Sequence, residues 1–301
     1  MELKKNSIYT IEITDMGNEG EGIGHLSLSD VANNKTGTDI STKASSEDGN
    51  NVQNITVFVK DTVIGDVAEI SIMKAKKSIA YGRLVRLITP SPYRVTPVCP
   101  VAKSCGGCSL QHISYEKQLE YKWNKVRECL RRIGKIENPD TLMEPIYGMK
   151  EPYHYRHKIY ATFSHNRDGV IKCGMYEENT HKVIDTKMCL IQHVKANDIL
   201  RDMCSLATKM HIESYNEDTG RGVLRHAYIR ISHATNDVLL TIVIGSKSLP
   251  GSNAFVKEMV RMHPEIKSIV LNHNSDDTSM VLGKKNHVLY GKGFIEDEIM
   301  H

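Results

Sequence analysis

The chain has 301 residues, 40% apolar and 25% charged, and its 39 Lys and Arg against 36 Asp and Glu leave a net charge of +3. That profile fits a globular chain long enough for two domains, and no apolar run approaches the ~20 residues of a membrane-spanning helix. Met1-Glu2-Leu3-Lys4-Lys5 also lacks the apolar stretch of a secretory leader, so the expected location is the cytoplasm.

Residues 1–90 are rich in short alternating patterns broken by glycine. Ser7 to Thr14 sets Ile8, Thr10 and Glu12 against Tyr9, Ile11 and Ile13. Asn54 to Lys60, Asp66 to Met73 and Ile79 to Ile88 follow. About five short strands in this length predict a small barrel of the oligonucleotide-binding type. The stretch Ser29 to Gln53 has almost nothing to bury and reads as a loop insertion. Pro90, Pro92 and Pro97 predict a stiff linker, which ends the first domain at residue 90.

Residues 91–301 are expected to form an α+β domain. A helix is predicted over Ser114 to Ile133, with Tyr115, Leu119, Trp123, Val126, Leu130 and Ile133 as its buried stripe, Ser114 as N-cap and Gly134 as stop. Tyr155 to Phe163 alternates, placing Arg156, Lys158, Tyr160 and Thr162 on one face. Hairpins are expected from Val170 to Asp185 and from Val223 to Gly245, and helices near Lys195 to Met210 and over Ser252 to His263. Strands at Lys267 to Asn272, Ser279 to Leu282 and His287 to Tyr290 complete a mostly antiparallel sheet.

No acid occurs between Glu69 and Glu116, while Lys74, Lys76, Lys77, Arg83, Arg86, Arg94 and Lys103 all fall there. Such a stretch is either a solvated basic surface or a contact for phosphates, with Tyr81 and Tyr93 placed where a base could stack. Cys99, Cys105 and Cys108 crowd into ten residues with Gly106-Gly107 between the last two. Three neighbouring thiols with a fourth from afar suit an iron–sulfur cluster. Cys189, in a short loop just beyond a strand, is the fourth by context, because Cys129 and Cys204 fall in helices and Cys173 falls mid-strand, where burial is the expected fate. A four-thiolate zinc site is the competing assignment and unligated, reactive cysteines a third. Gly20-Glu-Gly22-Ile-Gly24, Gly220-Arg-Gly222 and Gly291-Lys-Gly293 lack the strand, loop and helix that cradle a nucleotide, and the 14 histidines form no ligand-like pair.

The run from Cys99-Pro100 through Cys108-Ser-Leu-Gln-His-Ile-Ser-Tyr-Glu-Lys-Gln-Leu, with Tyr155-Arg156-His157-Lys158, the Gly174-to-Asp185 hairpin before Cys189, and Arg221-Gly-Val-Leu-Arg225-His226 before Ile229-Arg230, resembles the RNA uracil-5-methyltransferases. It resembles in particular their 23S rRNA branch, which carries an N-terminal TRAM domain and a [4Fe-4S] cluster. Asp15-Met-Gly17 through Gly24 and Gly65-Asp66 to Tyr81-Gly82-Arg83 sit in places typical of TRAM. His157 stands where the family more often has asparagine.

The resemblance implies a [4Fe-4S] cluster on Cys99, Cys105, Cys108 and Cys189, and RNA, 23S rRNA in this branch, as partner. It implies S-adenosylmethionine as methyl donor, bound by a Rossmann-like domain that follows the central one and carries the catalytic cysteine and base. The sequence ends about where the family enters that domain, so the domain is expected to be absent, no catalytic residue is assigned here, and the chain alone is expected to be inactive. Candidate phosphate contacts are Lys74, Lys76, Lys77, Arg83, Arg86 and Arg94 in the first domain and Arg156, Lys158, Arg221, Arg225 and Arg230 in the second. The alternative is a stand-alone iron–sulfur or zinc RNA-binding module. A radical methylthiotransferase with TRAM would space its cysteine triplet by three and two residues, whereas the gaps here are five and two.

Overall fold

A computed structural model describes residues 3–27, 54–178, 180–186 and 188–300. The expected insertion at 29–53 lies outside the described residues. The chain divides into two compact units, Met1–Val98 with Cys108–Gly148, and Cys99–Gly107 with Met149–His301.

The first unit contains a closed five-stranded barrel of β1 (Ile8–Met16), β2 (Gly22–Ser27), β3 (Asn54–Val59), β4 (Val67–Ala75) and β5 (Ile79–Thr89), in the order β1-β2-β3-β5-β4. All neighbours are antiparallel except β3 and β5. The alternation expected in β1 is present, with Tyr9, Ile11 and Ile13 turned into a core shared with Leu26, Val57, Val59, Ile70 and Ile72. The Gly22-Ile-Gly24 segment is the start of β2. A Cβ on Gly22 would lie 2.1 Å from Thr62 Oγ1, so this glycine permits the close approach of two segments.

Beyond the expected boundary at residue 90 the chain stays with the barrel. The Ser91 N–H donates to the buried Asp66 carboxylate (2.8 Å), Arg94 grips the same group, and Arg94 forms a β-bridge with Ile113. Helix α1 (Tyr115–Arg132) follows, capped by Ser114, whose Oγ accepts from the Lys117 N–H. Its end differs from expectation in that the left-handed residue is Lys135 (φ 54°), while Gly134 is required because a Cβ there would lie 2.7 Å from the Leu130 carbonyl. The stripe is also not a core: no α1 residue is fully buried, Val126 is 52% and Ile133 80% exposed. The tryptophan expected in a core is half-buried, with the segment around Asp140 and Glu144 lying along this face. The Trp123 Nε1–H donates to the Glu144 carbonyl (3.1 Å), and Arg127 pairs with Asp140 (2.6 Å). Tyr121 and Lys125 donate to the Gly17 and Asn18 carbonyls, tying α1 to the barrel.

The second unit is a seven-stranded sheet of β6 (Lys158–His165), β7 (Ile171–Tyr176), β8 (Val183–Asp185), β9 (Leu224–Ile231), β10 (Val238–Ile244), β11 (Ile266–His273) and β12 (Lys285–Gly291). The order is β12-β11-β10-β9-β6-β7-β8, antiparallel except for β10 and β11. Helices α2 (Val194–Lys209) and α3 (Ser252–Met262) both pack on one face, where Ile199, Met203, Phe255 and Met259 meet Ile159, Phe163, Ala227, Ile229, Leu240 and Ile242. The α+β class is thus as expected. The expected strand at 279–282 is instead a loop, held by Asn274 Nδ2 donating to the Met280 and Val281 carbonyls and Asn272 Nδ2 to that of Gly283. These side chains engage the backbone groups that a sheet ladder would use.

Candidate nucleic-acid interface and cysteine loop

On the outer face of the barrel the register sets Lys74 of β4 opposite Tyr81 of β5, and Tyr81 beside Phe58 of β3. The two rings stack with centroids 5.7 Å apart and planes 26° apart, and Tyr81 is 44% exposed. Lys74, Lys76, Lys77 and Arg83 are exposed around this stack, with no ion-pair partner among the described residues. Two other expected contacts are occupied. Arg86 forms a two-pronged pair with Glu69 (2.7 and 2.5 Å), and Arg94 is spent on Asp66 and the Asp61 carbonyl. Arg94 is therefore a structural cation rather than a phosphate contact, and the sequence could not show this because its acid partner lies 28 positions away.

In the second unit β6 begins later than expected because residues 154–156 pair elsewhere: the Arg156 N–H donates to the Ile191 carbonyl and the His193 N–H to that of Arg156. From there Lys158 lies directly opposite Arg230, Tyr160 opposite Tyr228, and Thr162 opposite His226, all on the face away from α2 and α3. Lys158 and Arg230 are exposed, Tyr160 is 38% exposed, and the Arg230 guanidinium sits 5.6 Å over the Tyr228 ring. Arg221 is exposed and Arg156 half-buried.

Arg225 overturns its assignment as a phosphate contact. It is 2% exposed, and its five N–H donors all have acceptors: Glu217 twice (2.9 and 2.7 Å) and the carbonyls of Asn274, Asp276 and Thr278. Beside it His226 is buried and hydrogen-bonded to Thr162 (3.1 Å), and burial, reinforced by the Arg225 charge, pushes its pKa down to about 4. Tyr176 is pushed up to about 12 by burial and then by the Glu217 carboxylate. A cavity of about 540 Å³ opens next to these groups, lined by Tyr160, Met175, Tyr176, Glu177, His181 and Gly106.

Gly106 brings in the cysteine loop. Its N–H donates to the Tyr176 carbonyl (3.3 Å), where a Cβ would be 3.2 Å from the same oxygen, and the Cys105 N–H closes a turn on the Val101 carbonyl (2.8 Å). Cys189, past β8, is clamped by the buried Asn197 of α2: the Cys189 N–H donates to Asn197 Oδ1 (3.3 Å) and Asn197 Nδ2 to the Cys189 carbonyl (3.0 Å). Nothing in the sequence singles out Asn197, because an asparagine eight positions past a cysteine has no signature.

Cys99, Cys105, Cys108 and Cys189 are all half-buried and outside any disulfide, in kind the donors that iron or zinc takes as thiolates. Among the described residues no three His, Cys, Asp or Glu side chains form a set that could hold a metal ion. Cys173 and Cys204 are buried, as expected. The Cys173 thiol is raised well above its ordinary range by a hydrogen bond with Cys204 and then by burial, whereas Cys129 is exposed on α1. Of the glycine segments, Gly22 and Gly24 lie in β2 and Gly220 and Gly222 in a turn before β9. No described helix is long and apolar enough to cross a membrane.

Residues 2–85 match the TRAM domain. Over 297 residues, 99% of its length, the chain is 37% identical to an uncharacterized RNA methyltransferase of Clostridium acetobutylicum, and over 248 residues it is 38% identical to one of Bacillus cereus. It spans 59% and 54% of those relatives' own lengths. Its fold is like that of Pyrococcus abyssi tRNA (uracil-54, C5)-methyltransferase in complex with S-adenosyl-L-homocysteine, with a TM-score of 0.61 at 21% identity, covering 96% of this chain and 57% of that one. The expectation that a methyltransferase domain is absent is not borne out by these matches. The barrel, then, is a TRAM domain, and the chain as a whole is similar to part of proteins named RNA methyltransferases.

Proposed function

We propose that this chain is the RNA-recognition part of an S-adenosylmethionine-dependent RNA uracil-5-methyltransferase with 23S rRNA as substrate. The observation that carries it is the outer face of the TRAM barrel, where the stacked Phe58 and Tyr81 rings sit among the exposed cations Lys74, Lys76, Lys77 and Arg83, which have no ion-pair partner among the described residues. The similarity of nearly the whole chain to RNA methyltransferases supports it. The cations neutralise phosphates and release counterions, while the exposed Tyr81 ring offers a surface to a base.

Cys99, Cys105, Cys108 and Cys189 are proposed to hold a [4Fe-4S] cluster. Their sequence spacing and thiol chemistry support it, and so does the seating of the cysteine loop on the end of β7, one hairpin before Cys189. A cluster there would cross-link loop and hairpin; binding falls to the protein's own side chains. The test is iron, sulfide and zinc content of anaerobically purified protein, together with filter binding of 23S rRNA fragments and tRNA across a salt series. About four irons and four sulfides per chain, with affinity falling steeply as salt rises, are expected. Zinc in place of iron overturns the cluster, and equal or tighter binding of tRNA overturns the choice of 23S rRNA.

A further inference from the structure

The cross-strand register of β6 and β9 puts two cations face to face, Lys158 and Arg230, and next along the same face two tyrosines, Tyr160 and Tyr228. Like charges directly opposite each other on a sheet oppose folding, and neither of these has an acidic partner among the described residues. An anion lying across both removes that repulsion. Tyr228 is already committed, since its ring lies beneath the Arg230 guanidinium and its hydroxyl accepts from Arg230 Nη2 (3.3 Å). That contact holds the cation out over the sheet. Tyr160 has no such cover, and its ring forms a wall of the cavity of about 540 Å³ shared with Met175 and Tyr176. The residues lining it include Glu177, which is paired with Lys182 (3.0 Å), and Glu178 but no Lys or Arg, so the cavity suits an uncharged planar group while phosphates stay outside on the cations.

We propose that Tyr160 is a stacking platform for one unpaired base of an RNA strand, seated in this cavity, with the adjoining phosphates held by Lys158 and by Arg230 in the position Tyr228 gives it. This rests on the reading of the chain as an RNA binder and adds to it a second contact surface with a preference for unpaired RNA. Double-stranded RNA keeps its bases stacked and offers none to Tyr160.

The full chain is titrated with a single-stranded RNA and a duplex of equal length, in wild type, Tyr160→Ala, Tyr160→Phe and Lys158→Ala. Circular dichroism of each variant checks folding. Tyr160→Ala is expected to weaken single-strand binding about 5- to 100-fold and leave the duplex unchanged. Tyr160→Phe, which keeps the ring, is expected to restore the affinity. Lys158→Ala is expected to reduce the salt slope by about one on both ligands. Equal losses on strand and duplex, or no loss with Tyr160→Ala, overturn the stacking role while leaving the RNA reading intact. No binding of either RNA by wild type overturns both.

Discussion

The Arg94 guanidinium straddles the Asp66 carboxylate, Nε at 2.8 Å from one oxygen and Nη2 at 2.6 Å from the other, and the Asp66 side chain is wholly buried. The N–H groups of Val63 (2.6 Å) and Ser91 (2.8 Å) donate to the same carboxylate, so one charge holds two loops of the barrel unit. Removing Arg94 leaves that charge uncompensated. Arg94→Ala is expected to destabilise the first unit by about 3–5 kcal/mol in urea denaturation. Arg94→Lys, which cannot form the two-pronged contact, is expected to recover only part of this.

Arg225 differs from the exposed cations in the same way. With all five donors engaged by Glu217 and three carbonyls of the 274–278 loop, Arg225→Met is expected to lower the unfolding midpoint of the second unit. RNA affinity measured well below that midpoint is expected to stay within about twofold of wild type, because no donor of Arg225 is left for a phosphate.

Acid sensitivity follows from His226. Its folded pKa of about 4 lies below the ordinary histidine value, so between about pH 6.5 and 4 the unfolded chain binds the proton that the folded chain refuses. Stability from this group is therefore complete above about pH 6.5 and falls as the pH drops towards 4, by on the order of 3 kcal/mol. His226→Asn is expected to flatten that part of the profile, measured as the urea midpoint between pH 7 and pH 4.5.

The barrel face makes a prediction of its own. Replacing Lys74 and Arg83 together with alanine is expected to reduce the slope of log affinity against log salt by about two. Tyr81→Ala is expected to weaken binding without changing that slope, because stacking releases no counterions. Replacing Arg86, already paired with Glu69, is expected to change the slope by less than either cation above.

What was legible in the sequence was whatever a local period records. Tyr9, Ile11 and Ile13 alternate and are all buried, and Ile159, Ala161 and Phe163 do the same in β6. Those patterns found the strands, the faces and the α+β class. Pairings that join distant segments were not legible. The stacking of Phe58 on Tyr81 depends on β3 and β5 lying parallel, and a charge run cannot reveal that Arg225 is engaged by carbonyls about fifty positions later. The α1 stripe failed for a related reason: a 3.6-residue period shows that a face is apolar, not that enough chain lies against it, and Ile133 is 80% exposed. The cysteine spacing identified the thiols, while the clamp of Asn197 on Cys189 emerged only from the packing of α2.

In the second sheet β6 sits between β7, which follows it directly, and β9, which arrives only after α2 has been made. During synthesis one edge of β6 therefore stays bare until residue 231 has emerged, several seconds later at ~5–20 residues per second. That edge belongs to the segment Ile159 to Phe163, which carries the apolar Ile159, Ala161 and Phe163 at alternate positions, so a nascent chain paused in this interval is a template for unwanted strand addition.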